Sequence, residues 1–241
     1  MVETETDRRI FAGDFIETVR IMRILAMTDI HGAYDLAREI IRSEPSDVVI
    51  IGGDLTTVGS IREAEEAVDS FAEICPHLLC VAGNMDLPAH DELFIKLGVS
   101  LNGRGVEIDG VGFFGASAAP HSPLKTPYEI SEEELLLRCR RGFAQIRHCP
   151  NTVFVPHAPP YGTKVDIIHS GLHVGSTAVR EFIEDAHPTL TVCGHIHEAR
   201  GKDYIDATEI VNCGPAGRGY FAIIELGHGK RSDLFQLHRV H

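Results

Sequence analysis

Five short stretches hold residues able to grip a cation: Asp29 and His31 in "DIHG", Asp54 in "GGDL", Asn84 and Asp86 in "GNMD", His157 in "PHAPP", and His195 with His197 in "GHIHE". Setting Asp86 aside, they supply four imidazoles, two carboxylates and an amide oxygen, with no thiolate. That mixture suits manganese, iron, zinc, cobalt or nickel rather than calcium or a sulfur-bound structural zinc. Taken singly, each stretch has a plainer reading. An Asp-x-His is commonly a turn aspartate beside a surface histidine, "GGD" and "GNMD" are ordinary turns because Gly and Asn tolerate positive φ, and the flanking prolines make His157 part of a rigid turn. Their conjunction carries the weight. Seven ligands exceed the needs of one four-coordinate ion, whereas two ions sharing a carboxylate accommodate them, and such a pair clamps the oxygens of a phosphoryl displacement.

Each stretch directly follows an apolar run, so the elements that must place it are legible. "MRILAMTDIHG" ends a strand at Thr28 and "YDLAREIIRS" carries apolar residues at helical spacing; "DVVIIGGDLTT" then "REAEEAVDSFAEI", and "HLLCVAGNMD" then "AHDELFIKLG", repeat the cycle. Three strand-loop-helix units predict a parallel sheet with crossover helices, and the carboxyl ends of such strands are where ligands gather. In the middle, "VSLNGRGVEIDGVGFFGAS" predicts antiparallel strands with a hairpin at "IDGVGF". "SEEELLLRCRRGFAQI" opens with a capping Ser and an acidic first turn, and so predicts a helix. A strand "NTVFVPHAPP", a helix "STAVREFIEDA" and a strand "TLTVCGHIHE" follow, and "YIDATEIVNCGPAGRGYFAIIEL" predicts two or three further antiparallel strands. Residues 1–21 read as an N-terminal extension, within which "IFAGDFIETV" could form a short helix or an added strand; residues 22–241 read as a single domain.

Composition narrows the function. Of 241 residues, 35 are acidic and 22 basic, a formal charge of -13, which repels polyanions and disfavours nonspecific nucleic-acid binding. No apolar run approaches a membrane span, and "MVETETDRRI" is too acidic for a secretory signal, so a cytoplasmic location with no membrane association is expected. The six cysteines contain no C-x-x-C pair, which argues against a zinc knot or disulfide framework. This balance permits a homodimer without requiring one.

In this order, the five stretches closely resemble the blocks of the calcineurin-like metallophosphoesterases, from Met22 to the C-terminal strands. The resemblance implies a four-layer α/β/β/α sandwich, with two mixed β-sheets face to face and helices outside. It also implies two divalent metal ions, manganese favoured: Asp29, His31 and His197 on one, Asn84, His157 and His195 on the other, and Asp54 bridging. The activity implied is hydrolysis of a small phosphate ester by a hydroxide held between the ions. Many members carry His where this chain has Met85, and a thioether cannot deliver a proton. Loss of that acid favours phosphodiesters, with a phosphomonoesterase or nuclease on the same centre as the alternative. A non-catalytic interaction scaffold is a further alternative, which the filled ligand positions oppose. Two residues are expected to assist catalysis. Asp86 would orient Asn84 or a bound water, or be a simple turn residue; His173 is preferred over His121 and His169 as the proton donor, because it precedes a helix N-terminus at Gly175–Thr177 that favours anions. Arg200 and Lys164 are candidate substrate contacts.

Overall fold

A computed structural model describes residues 21–227 and 235–240. Along the chain run β1 (Ile21–Met27), α1 (Tyr34–Ser43), β2 (Val48–Gly52), α2 (Ile61–Ala72), β3 (Leu78–Val81) and α3 (Pro88–Lys96). Then come β4 (Gly105–Ile108), β5 (Val111–Ala116), the short β6 (Ala119–Pro120) and β7 (Glu129–Ile130), α4 (Glu132–Ile146) and β8 (Asn151–Pro156). The last elements are α5 (Thr177–Ala186), β9 (Leu190–Cys193), β10 (Gly201–Ile205), β11 (Thr208–Asn212), β12 (Tyr220–Gly227) and β13 (Phe235–Arg239). "IFAGDFIETV" lies outside the described residues.

Local chemistry explains most boundaries. Ser60, Ser131 and Ser176 each cap a helix, accepting a hydrogen bond from the backbone N–H three residues on. Asp109 and Gly110 turn the β4–β5 hairpin with φ of 48° and 79°, as a two-residue turn between twisted strands requires. The strands β2, β3 and β9 are buried along their whole length, which is why they read as unbroken apolar runs rather than alternating ones.

Two mixed sheets form, in orders β13-β12-β1-β2-β3 and β10-β11-β9-β8-β5-β4. The expected parallel units are present: Ile24 pairs with Val48, and Val49 with Leu78. The C-terminal run differs from the all-antiparallel expectation. β10 and β11 are antiparallel to each other, but β11 lies parallel to β9 in the second sheet, while β12 runs antiparallel to β1 in the first. β5 likewise pairs parallel to β8. An alternation pattern shows which face of a strand is buried and leaves its neighbour open.

Three apolar layers result. One packs α1, α2 and α3 on the first sheet through Ile40, Val68, Phe71 and Phe94; one lies between the sheets, around Ile24, Ile50, Phe113, Val155 and Val192; one packs α4 and α5 on the second sheet. This is the α/β/β/α sandwich. No helix among the described residues is long and apolar enough to cross a membrane.

Candidate metal centre

The five stretches converge, and they do so from both sheets. β1, β2 and β3 deliver Asp29, His31, Asp54 and Asn84; β8 and β9 deliver His157, His195 and His197. The pocket therefore lies where the carboxyl edges of two facing sheets meet, rather than along one sheet. The loops are zipped to one another: Asp29 N–H donates to Gly53 O at 2.9 Å, His31 N–H to Asp54 O at 2.9 Å, and Gly194 N–H to His157 O at 3.1 Å.

Four of the seven donor residues, Asp29, His31, Asp54 and His195, have positive φ, between 50° and 66°. Left-handed backbone at residues other than glycine costs about 1–3 kcal/mol each and gathers where function requires it. At His195 the purpose is visible. On an extended strand residues 195 and 197 would share a face, but the left-handed turn at 195 and the single 3-10 turn at His197–Ala199 send the two rings to different partners. The Nδ1 of His195 lies 2.7 Å from Asn84 Oδ1, and the Nε2 of His197 lies 3.2 Å from Asp29 Oδ1.

Two clusters emerge. In one, donor atoms of Asp29, His31 and His197 lie within 4.8 Å of one another. In the other, Asn84 Oδ1 is 2.9 Å from His157 Nε2 and 2.7 Å from His195 Nδ1. Asp54 stands between them, a single oxygen, Oδ2, lying 3.7 Å from His31 Nε2 and 3.6 Å from His157 Nε2. Its other oxygen accepts from Met85 N–H at 2.7 Å.

The groups fit cations on three grounds. First, His157 Nδ1 is 2.9 Å from Gly52 O, an arrangement that holds the proton on Nδ1 and presents Nε2 as a lone pair, as metal-bound histidines commonly do. His31 is similarly anchored by Nδ1, 3.0 Å from Thr57 Oγ1. Second, three glycines leave room that no side chain could share: a Cβ would come within 2.2 Å of His157 Nδ1 at Gly53, 2.1 Å of Asp54 Oδ1 at Gly83, and 2.2 Å of Asp29 Oδ2 at Gly194. Third, the charges are poorly balanced. Burial, with Asp29 and Asp86 nearby and despite His157, pushes Asp54 up to about 7. Burial and His157 push His195 down to about 3. Burial also opposes ionisation of Asp29, but the His197 hydrogen bond and the imidazoles of His157 and His197 outweigh it and hold that carboxyl low. His31 is lowered by burial; His157 is raised by Asp54 and Asp29 against burial, and His197 is raised by its bond to Asp29. Buried carboxylates in this predicament are what a divalent ion neutralises.

The remaining site candidates are held by other partners. Asp86 is fully buried, and its carboxylate accepts from Leu55 N–H (3.2 Å), Gly83 N–H (2.9 Å), Thr56 N–H (2.8 Å) and the Thr56 hydroxyl (2.9 Å). It thus holds the backbone of the Asp54 and Asn84 loops together, and its bonds go to these groups rather than to the Asn84 amide. His173 is paired through Nδ1 with buried Asp166 at 2.7 Å and meets the Tyr161 ring edge-on. The anion site expected beside it is already filled, because Glu132 accepts from Thr177 N–H, Ala178 N–H and the Ser176 hydroxyl at the start of α5. The start of α5 thus offers no free Thr177 or Ala178 amide to an anion beside His173. His121 is exposed, 3.9 Å from Glu129, and His169 is exposed with its N–H on Glu198. Arg200 donates to Cys213 O and His238 O beneath the Tyr220 ring, and Lys164 is drawn to Asp203.

Arg218 was not among the residues singled out from the sequence. The turn Ala216–Arg218 is pinned to the first loop by Ala216 N–H to Thr28 O (2.8 Å) and Gly217 N–H to Asp29 O (3.1 Å), and Arg218 is close enough to His197 to oppose its protonation. Its side chain is exposed, and no carboxylate among the described residues pairs with it. The signal was "GPAGRG", a Gly-rich turn that reads only as a break between strands.

Known proteins bear on this geometry. The family model for calcineurin-like phosphoesterases matches residues 22–199. The uncharacterized protein MJ1162 of Methanocaldococcus jannaschii is 32% identical over 210 residues, 84% of this chain and 92% of that protein. The crystal structure of TT1561 of Thermus thermophilus superposes with a TM-score of 0.71 at 17% identity, over 92% of this chain and all of that one. A dimetal phosphatase from Danio rerio does so at 0.57 and 12%, over 90% and 98%. With a family model across most of its length and the family's fold around two adjoining donor clusters, the chain belongs to the calcineurin-like phosphoesterases, a dinuclear-metal-dependent family, and is a metal-dependent phosphoester hydrolase.

Proposed function

We propose that this chain hydrolyses small phosphodiesters with two divalent cations, manganese favoured, in a cytoplasmic setting. The observation that carries the ligand assignment is the placement of Asp54 Oδ2 within 3.7 Å of a histidine from each cluster. Asp29, His31 and His197 would hold one ion, Asn84, His157 and His195 the other, and Asp54 both. Bound there, the ions supply a water of lowered pKa and positive charge opposite the nonbridging phosphate oxygens.

The chain's own residues do the rest. Thr57 and the Gly52 carbonyl fix the rings of His31 and His157, and Asp86 locks the two loops that carry Asp54 and Asn84. Arg218, held against the Asp29 loop, would pair with a phosphate oxygen. Met85 offers no proton, so the leaving group must depart with little help, which favours diesters and aryl esters over alkyl monoesters. The net charge of -13 favours a small substrate over a long polyanion.

The test is a screen of metal-depleted protein on bis-nitrophenyl phosphate and nitrophenyl phosphate, with Mn, Ni, Fe and Zn added separately. The expected result is metal-dependent turnover with the higher kcat/KM on the diester. A higher value on the monoester overturns the diester reading alone. Two bound ions with no hydrolysis of either ester would revive the scaffold alternative.

A further inference from the structure

A second set of donors stands at the opposite end of β8 from His157, separated from the pocket by the length of that strand, about 20 Å. Glu107 lies on β4, the outer strand of the second sheet, and His148 and Cys149 lie in the turn between α4 and β8. His148 Nε2 is 2.8 Å from Glu107 Oε2 and 3.7 Å from Cys149 Sγ, and one donor atom from each residue lies within 4.8 Å of the other two.

The packing that creates this cluster is specific. Gly112 on β5 has no side chain, and a Cβ there would come within 2.9 Å of Ile146 Cβ and 3.2 Å of Cys149 Cβ, so the turn sits down on the strand only because that position is bare. Cys149 is buried at 8% exposure, while the side chains of His148 and Glu107 are 64% and 46% exposed, so the cluster has a closed floor and an open mouth. Burial first, and then Glu107, push the thiol above its ordinary value.

We propose that Glu107, His148 and Cys149 form a third metal position, taking one thiophilic divalent cation, with zinc the best fit. Thiolate, imidazole and carboxylate are three of the ligand types of tetrahedral zinc, and water completes the set. Bond lengths of about 2.0–2.3 Å place neighbouring donors about 3.3–3.6 Å apart, so the observed 2.8 and 3.7 Å require shifts that the exposed Glu107 and His148 side chains can make. On binding, the Cys149 S–H proton passes to solvent as the sulfur–metal bond forms. The His148–Glu107 hydrogen bond breaks: Nε2 gives its proton to solvent, Nδ1 takes one up from solvent, and the neutral imidazole presents Nε2 to the metal. Thiolate and carboxylate then neutralise the dication. The ion would clip the β4–β5 hairpin to the α4–β8 turn, beside a strand that is outermost in its sheet among the described residues.

The experiment is a cobalt(II) titration of the full chain after chelator treatment, read at the near-ultraviolet thiolate-to-cobalt charge-transfer band. The seven donors of the phosphoesterase pocket contain no sulfur, and among the described residues no other cysteine belongs to a metal-ligand group. The band thus reports the third position whether or not the chain hydrolyses anything. Its limiting amplitude should correspond to one cobalt–thiolate bond per chain, and it should be displaced by zinc and vanish in Cys149→Ser. In His148→Ala it should need about tenfold more cobalt, with phosphoesterase turnover unchanged. Absence of the band in the folded wild type, or its persistence in Cys149→Ser, overturns the proposal. Should Cys149→Ser fail to fold, an unchanged cobalt midpoint in both His148→Ala and Glu107→Gln overturns it equally.

Discussion

Gly194→Ala isolates the geometry of the pocket from the stability of the fold. The backbone at Gly194 is not left-handed, so alanine meets no conformational penalty there and the whole effect is contact. The new Cβ would lie 2.2 Å from Asp29 Oδ2 and 2.5 Å from Thr28 Oγ1, where real Cβ atoms essentially never come within 3.0 Å. Asp29 is fully buried and accepts from His195 N–H at 3.1 and 3.2 Å, so it can retreat only by releasing His195, His197 or both. Overpacking of this kind costs about 1–3 kcal/mol. A catalytic displacement approaching 1 Å costs about 100-fold in rate. Gly98→Ala is the control. With φ of 76° and no atom within 4 Å, it should lose about 1–2 kcal/mol through backbone strain alone, far from the pocket. Thermal melts and metal-dependent ester hydrolysis of the two variants should therefore show comparable falls in Tm but a fall in kcat/KM confined to Gly194→Ala. Full metal occupancy and full activity in Gly194→Ala would refute the reasoning.

The other expectations are simpler. Chelation should abolish turnover and lower Tm by about 5–10 °C, since an ion at 100 times its Kd stabilises a fold by about 2.7 kcal/mol, and manganese should restore both, as calorimetry would record. Arg218→Ala should cut kcat/KM about tenfold or more without changing Tm, because an exposed side chain carries little packing and a bond to a charged phosphate is worth about 1.5–3 kcal/mol; Arg218→Lys should recover part of the loss. His173→Ala should not discriminate between alkyl and nitrophenyl esters, whereas a selective loss on alkyl esters would reinstate it as the acid. Glu129 titrates low: partial burial opposes its ionisation, but bonds from the backbone and hydroxyl groups of Ser122 and Thr126 outweigh it and hold the carboxyl at about 2. Its stabilising effect is complete above the ordinary value near 4.5 and is lost as pH falls toward 2, so wild type and Glu129→Gln should differ in stability at neutral pH and converge on acidification.

The residues that converge on the pocket were legible because each sits at the end of an apolar run, where a strand and its following turn are written in adjacent residues. The helix starts at Ser131 and Ser176 were legible for the same reason, since a cap and its helix are neighbours in the chain. What failed was whatever depended on distant partners. Glu132 fills the amino end of α5 from 44 to 46 residues away, and no local pattern announces that. The partner of β11 is decided by where β9 already lies, and β13 follows a segment with no strand signature of its own. The turn that carries Arg218 packs on the Asp29 loop because Gly217 tolerates close approach, a Cβ there being 2.8 Å from Ile30 O; that is a fact about shape rather than spacing.

The division of the pocket between two sheets has a consequence for how the molecule comes into being. Four donors arrive with the first half of the chain and three with the second, the last of them at residue 197. Until the halves dock, neither can offer a complete coordination shell, so the full set of ligands for either ion exists only after assembly. A chain still emerging from its ribosome is, in this sense, an enzyme without a place for its chemistry.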